Sequence, residues 1–215
     1  MNHSHFDFAQ ARQNMVENQL RPAEVNHTQL TEIMRALPRE ECVKPSQREM
    51  AYADINLPLS HNRFLSEPRV IARLVQLADI RPNEKVLIVG ASTGYLSAIV
   101  QLLEADIFAI EENEELSLQG QNFCEKYADR VHWHTGKLSE GYPESKPFDV
   151  IIIDGAVSEI PSKLVDQLAQ NGRIVTVLKK EEQASQAVKI EKTTNGLATI
   201  SCFYASLPLL QELKD

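Results

Sequence analysis

Cysteine and glycine are both scarce: three cysteines and eight glycines in 215 residues. Cys42, Cys124 and Cys202 stand far apart with no CxxC spacing, so neither a disulfide framework nor a thiolate metal centre is expected, and they read as reduced, mostly buried thiols. No apolar run approaches the ~18 residues that a membrane-spanning helix requires, and no signal segment opens the sequence, so a cytoplasmic protein without a membrane partner is expected. Positive charge is not in excess. Lys and Arg number 22 against 30 Asp and Glu, and a net charge of −8 argues against a nucleic-acid partner. Internal repeats and low-complexity segments are absent. What remains is an ordinary globular composition, 43% hydrophobic and 24% charged, long enough for one domain with extensions. His3 and His5 lie in a polar terminus, and His132 and His134 would share one face of a strand. Neither pair has further ligands in view, so no metal site is expected.

The chain is organised around residues 85 to 112. Val86 to Val89 is the short apolar run of a strand buried on both faces. It enters a small-residue turn, Gly90-Ala91-Ser92-Thr93-Gly94. Beyond it Leu96, Ile99, Val100 and Leu103 recur at helical spacing. A second strand, Ile107 to Ile110, ends on Glu111, 21 positions after Gly90. Strand, tight turn, helix, strand and acid make the first half of a nucleotide-binding α/β unit. Glycine lets backbone approach a ligand closely, and a helix N-terminus offers free N–H groups. An acid at that position can accept both hydroxyls of a ribose. Glu111 can equally be structural, pairing with a cation near the turn.

Around this unit the pattern predicts a first helix carrying Phe8, Arg12, Met15, Val16 and Leu20, and a second over 26–37. Residues 39–62 show little regular pattern, with Pro45 and Pro58 as punctuation. Ser66-Glu67-Pro68 reads as the start of a helix carrying Val70, Ile71, Leu74, Val75 and Ala78, with Ser66 its N-cap. Asn113 caps another helix. Further strands are expected over 131–135, 149–153, 174–178, 186–192 and 197–204, the last two joined at Asn195-Gly196, a strong hairpin signal. Ile160, Leu164, Val165 and Leu168 suggest a helix stopped at Asn171-Gly172. The strand at 149–153 delivers Asp154 to a carboxyl end, where open α/β sheets bind ligands. A solvated acid capping the turn at Gly155 is the other reading. Val86 and Val150 should lie on adjacent strands.

The order of elements and several short words resemble the protein-L-isoaspartate O-methyltransferases, S-adenosylmethionine-dependent enzymes that repair isomerised aspartates. The resemblance runs from Met15 to Leu210. It rests on Met15-Val16 with Gln19-Leu20, Leu37-Pro38-Arg39-Glu40, Ala51-Tyr52-Ala53-Asp54, Ser66 with Pro68, Val89-Gly90 with Gly94-Tyr95, Ile110-Glu111, Glu159-Ile160-Pro161 with Gly172, and Pro208-Leu209. It implies a three-layer Rossmann-like α/β fold: a mostly parallel seven-stranded sheet, a C-terminal antiparallel hairpin and a helical N-terminal extension. The extension would span 1–65, packed on a methyltransferase domain over 66–215.

The implied activity is methyl transfer from S-adenosylmethionine to the isoaspartyl carboxylate of a damaged protein or peptide. The implied cofactor residues are Gly90, Ala91, Ser92, Gly94, Tyr95, Glu111, Gly136, Lys137 and Asp154. Ser66 would orient the substrate carboxylate, with Arg63 and Phe64 beside the substrate. Several positions depart from the family's pattern. Its Gly-x-Gly-x-Gly turn has Ser92 in the middle, the preceding acid is Ile88, and its Gly-Asp after the third strand is Gly136-Lys137. Its Gly-Gln-Thr run is Asn62-Arg63-Phe64. Lys137 cannot accept a bond from an adenine amine. These departures predict that cofactor binding is weakened or lost, and they keep open a non-catalytic descendant that binds a metabolite or protein. A nicotinamide oxidoreductase is disfavoured, since nothing beyond Asp154 resembles a substrate domain.

Overall fold

A computed structural model describes residues 6–213. His3 and His5 lie outside the described residues. Helix α1 (Phe8–Met15) runs into a π-helical turn, Val16–Leu20, and α2 (Thr28–Ala36) follows. The stretch without evident pattern contains two 3₁₀ turns, Arg39–Cys42 and Pro45–Met50, and a two-stranded hairpin of β1 (Leu57–Pro58) and β2 (Phe64–Leu65). Helix α3 (Pro68–Ala78) then leads into β3 (Lys85–Val89), α4 (Tyr95–Leu102), β4 (Asp106–Glu111), α5 (Glu114–Tyr127) and β5 (Val131–Thr135). The chain closes through β6 (Phe148–Val157), α6 (Ser162–Val165), β7 (Leu168–Leu178), β8 (Gln186–Thr193) and β9 (Gly196–Tyr204).

The large sheet has seven strands in the order β5-β4-β3-β6-β7-β8-β9. The first five run parallel, while β8 and β9 are antiparallel. Val86 pairs with Val150, so the order reverses between β3 and β6 as expected. Alternation along the central strands splits the core by face. Val86, Ile88, Val150 and Ile152 join the helical side, with Met15, Leu20, Leu30 and Met34 of the N-terminal segment in the same cluster. Leu87, Val89, Ile151 and Ile153 face the other side, which α6 and short turns cover, with Leu164, Leu168 and Leu210 packed in.

One expectation fails. The helix proposed through Leu168 is a single turn, and Leu168 already belongs to the long strand β7. Phe148 pairs with Leu168 and Val150 with Arg173, so the residues between them, including Asn171 and Gly172, form a bulge rather than a helix stop. Cys42 and Cys124 are buried, whereas Cys202 is exposed. Burial pushes the Cys124 thiol up to about 12. Among the described residues no helix is long and apolar enough to cross a membrane, and no group of three or more His, Cys, Asp or Glu is placed to hold a metal ion.

The bulge on β7 aims Arg173 at the C-terminus of α3. Its guanidinium meets both Glu84 oxygens at 2.9 and 2.7 Å and the Asp79 carbonyl at 2.6 Å, and it also bonds the Ala78 carbonyl. Arg173 thus places positive charge on carbonyls the helix leaves free. Burial alone would raise the Glu84 carboxyl, but the Arg173 hydrogen bonds and charge, with the Arg81 N–H and charge, together hold the group below its ordinary value. Arg173→Ala should cost about 2–3 kcal/mol in urea unfolding at pH 7. A depressed carboxyl stabilises the fold above its ordinary value of about 4.3, and that stability is lost as pH falls through the depressed value. The midpoints of parent and variant should therefore converge in acid.

Candidate active site

The hairpin β1–β2 turns through Ser60, His61, Asn62 and Arg63, closed by the Arg63 N–H to the Ser60 carbonyl at 3.1 Å. His61 and Asn62 have φ of 55° and 56°, the two left-handed residues of a tight hairpin whose twist matches its strands. The turn sends Arg63 inward, where it is only 3% exposed. Facing it is the turn after β3. Gly94 has φ of 84°, and a Cβ there would lie 2.7 Å from the Gly120 carbonyl oxygen, so both conformation and space require glycine.

Glu111, at the tip of β4, is fully buried. Its Oε1 accepts from Arg63 Nη1 at 2.9 Å and from the backbone N–H groups of Glu112 and Asn113 at 3.0 and 3.1 Å. Its Oε2 accepts from the Ser92 N–H at 2.8 Å. Three donors thus converge on Oε1 and one reaches Oε2, so Oε1 is fully engaged while Oε2 keeps one acceptor site. The structural reading of Glu111, a cation near the turn, describes this arrangement. Arg63, expected beside the substrate, lies against the turn after β3, and its Nη2 also donates to the Gly90 carbonyl at 2.9 Å.

A second buried pair lies at the end of β6. Ser66 Oγ donates to Asp154 Oδ1 at 2.6 Å. Asp154 falls where the β6–β7 register breaks, between Ile152 and Ala156. Burial pushes its carboxyl above the ordinary range, against the Ser66 hydrogen bond and the charges of Arg63 and Arg39. Asp154 is thus neither solvated nor a turn cap. Nor does Ser66 cap α3: the N-cap is Glu67, with no side-chain cap bond.

Arg39, which sequence reasoning used only as part of a family word, is a fully buried cation. Its Nε donates to the Ala51 carbonyl at 2.7 Å and Nη2 to the Ser66 carbonyl at 2.6 Å, and the guanidinium stands 4.9 Å over the Tyr95 ring.

The remaining candidates divide. Ala91, Ser92 and Tyr95 are buried in the turn and helix start, and Ser92 Oγ, Thr93 Oγ1 and the Tyr95 hydroxyl have no protein hydrogen-bond partner. The Gly136 N–H bonds the Glu111 carbonyl at 3.0 Å, while Lys137 is exposed. Phe64 lines the cleft with Asn62, Arg63, Ser66, Asp154 and Gly155. Sequence reasoning missed Leu210. The tail is pinned by Leu210 N–H to the Ala156 carbonyl and Ala156 N–H to the Pro208 carbonyl, both 2.9 Å. Its side chain presses on Gly155, where a Cβ would come within 2.5 Å of Leu210 Cγ.

The space left between the hairpin, the Asp154 turn and the tail is about 10 Å³, roughly one water. In this conformation the Arg63 guanidinium stands against Glu111 Oε1 and the Gly90 carbonyl, so an adenosyl cofactor would have to displace it.

Residues 10–207 match the family model described as protein-L-isoaspartate(D-aspartate) O-methyltransferase. The chain belongs to this family. A protein-L-isoaspartate O-methyltransferase of Gloeobacter violaceus is 31% identical over 200 residues, covering 92% of this chain and 98% of its own. One of Koribacter versatilis is 37% identical over 169 residues, covering 78% and 76%. A solved protein-L-isoaspartate O-methyltransferase superposes with a TM-score of 0.80 at 21% identity over 92% of this chain and 65% of its own, so this chain spans about two thirds of it. A putative family member from Plasmodium falciparum, solved with S-adenosyl-L-homocysteine, gives 0.80 at 19% identity over 94% and 98%. At those identities the structures speak for the fold, and the fold is the one expected. The expected class, an S-adenosylmethionine-dependent methyltransferase, is met at the level of the family.

The buried Arg63–Glu111 pair makes a direct prediction. Glu111→Gln keeps the shape but removes the charge that Arg63 faces, and it turns an amide NH₂ toward existing donors. Leaving a buried cation without its partner should cost about 3–5 kcal/mol, read as a lower urea midpoint. A variant as stable as its parent would show that the pair is not what holds the turn.

Proposed function

We propose that this chain methylates the isoaspartyl carboxylate of damaged protein or peptide, with S-adenosylmethionine as donor, in the cytoplasm. The observation that carries the substrate side is the Ser66 hydroxyl, 2.6 Å from a carboxylate oxygen at the carboxyl edge of the sheet. That carboxylate belongs to Asp154, and the contact supports Ser66 as a hydroxyl able to donate to a carboxylate at this edge. Arg39 holds the Ser66 main chain from behind, so the hydroxyl is presented by a fixed backbone. An isoaspartyl carboxylate is already ionised at neutral pH. It needs orientation and a dry cleft rather than a general base. A second reading, a family descendant that binds a partner without catalysis, is favoured by one observation, the Arg63 guanidinium set against Glu111 and Gly90.

The test is a peptide carrying one isoaspartyl residue, incubated with S-adenosylmethionine labelled in the methyl group, with base-labile label as the readout. Label is expected on this peptide and not on its aspartyl twin. Ser66→Ala should lower kcat/KM about 10–100-fold, the worth of a hydrogen bond to a charged group. Absence of label from both the parent and Arg63→Gln at high cofactor concentration would favour the non-catalytic reading.

A further inference from the structure

Four buried charged groups lie around the turn after β3 and the end of β6: Glu111, Asp154, Arg63 and Arg39. Of these only Arg63 and Glu111 form an ion pair, at 2.9 Å. The same guanidinium also donates to the carbonyl of Gly90. A Cβ on Gly90 would lie 2.9 Å from Arg63 Nη2. The close approach that this glycine permits is therefore used by the chain itself. A ribose diol needs both oxygens of the carboxylate, and Oε1 is held by Arg63, whose guanidinium also stands on the Gly90 side, so the diol gains both acceptors only if Arg63 leaves.

Arg63 is also mounted to leave. It ends the two-residue turn of a short hairpin in which Leu57 pairs with Leu65, Pro58 pairs with Phe64, and the Leu59 N–H bonds the Arg63 carbonyl at 2.8 Å. Leu57 and Leu65 are held in the main core, whereas His61 and Asn62 at the tip are exposed. Movement of the tip with the Arg63 side chain leaves that core and the seven-stranded sheet intact. Opening also changes the charge of the cleft, because withdrawal of Arg63 uncovers a carboxylate. The closed form leaves Ser92 Oγ and Thr93 Oγ1 buried without a partner, an unfavourable state for hydroxyls that a polar occupant or water would relieve.

We propose that Arg63 is the resident occupant of the ribose position, and that a nucleoside cofactor enters only an open form in which the β1–β2 hairpin has drawn the guanidinium away from Glu111. The proposal rests on the methyltransferase reading above and names Arg63 as the residue that sets cofactor affinity. Affinity is then reduced by the fraction of molecules that are open.

S-adenosylhomocysteine, titrated by calorimetry into the unmodified protein, Arg63→Gln and Arg63→Lys, tests it, with thermal melts establishing that each variant is folded. Arg63→Gln should bind at least about tenfold tighter than the parent, as expected when a closed form that outnumbers the open one by ten to one is removed. Arg63→Lys, which keeps a charge for Glu111 but lacks the second arm on Gly90, should fall between. Should Arg63→Gln fail to fold, the unmodified protein decides. Its single tryptophan, Trp133, packs on Gly120 beside the turn and serves as a fluorescent reporter. The observed association rate should level off with ligand concentration at the rate of opening.

Equal affinity in parent and Arg63→Gln, or a rate that rises linearly without limit, would overturn the proposal. The methyl-ester assay would then still stand by itself. No binding by a folded Arg63→Gln would overturn the proposal too, and absence of methyl ester in the same variant would remove the methyltransferase reading with it.

Discussion

A carboxylate taken wholly out of water must be surrounded by donors, or it will not remain charged. Glu111 meets that demand from four directions, and much of the active-site architecture follows. The turn after β3 brings the Ser92 N–H to one oxygen. The start of the α5 segment brings the N–H groups of Glu112 and Asn113 to the other. The fourth donor comes from 48 residues away, and it draws the β1–β2 hairpin down onto the sheet. The sheet, the loop after β4 and the N-terminal extension therefore meet at one side chain.

The N-terminal extension is more than a cover over apolar surface. It supplies both buried cations of the cleft, and its apolar residues share a core cluster with the central strands. Arg39 fixes the main chain at Ala51 and Ser66, which places the hairpin between two tethered points. Ser66 then bridges from this extension to Asp154 on β6. The extension thus reaches the sheet at two separate hydrogen-bonded groups, Arg63 with Glu111 and Ser66 with Asp154.

Most of the sheet was legible because its signal is local. A run such as Phe148 to Asp154 can only be a strand covered on both faces, and the apolar edges of β3 and β4 mark where the turn begins. The adjacency of Val86 and Val150 followed from the rule that a ligand crevice opens where strand order reverses. The helix drawn through Leu168 failed because four apolar residues at helical spacing also fit a one-turn helix followed by a bulged strand, and periodicity alone does not separate the two. Partners were harder to read than elements. The spacing of Glu111 after Gly90 marked a functional acid but said nothing of its donors. Arg63 was singled out as a charge in an unusual place, yet the choice between substrate and turn depends on a hairpin whose only signature is Asn62 beside His61. Leu210 had no signal at all, because its contact with Gly155 depends on where a tail crosses the sheet.

The Arg63–Glu111 pair bears on the order of events in a newly made chain. Proteins whose binding sites consist of unpaired buried charges depend on their ligand to complete the fold, and their folding free energy includes the binding free energy. Here Glu111 already has a cation supplied by the chain itself. The polypeptide can bury this carboxylate before any small molecule is present, and a ligand then adds stability to a fold already formed.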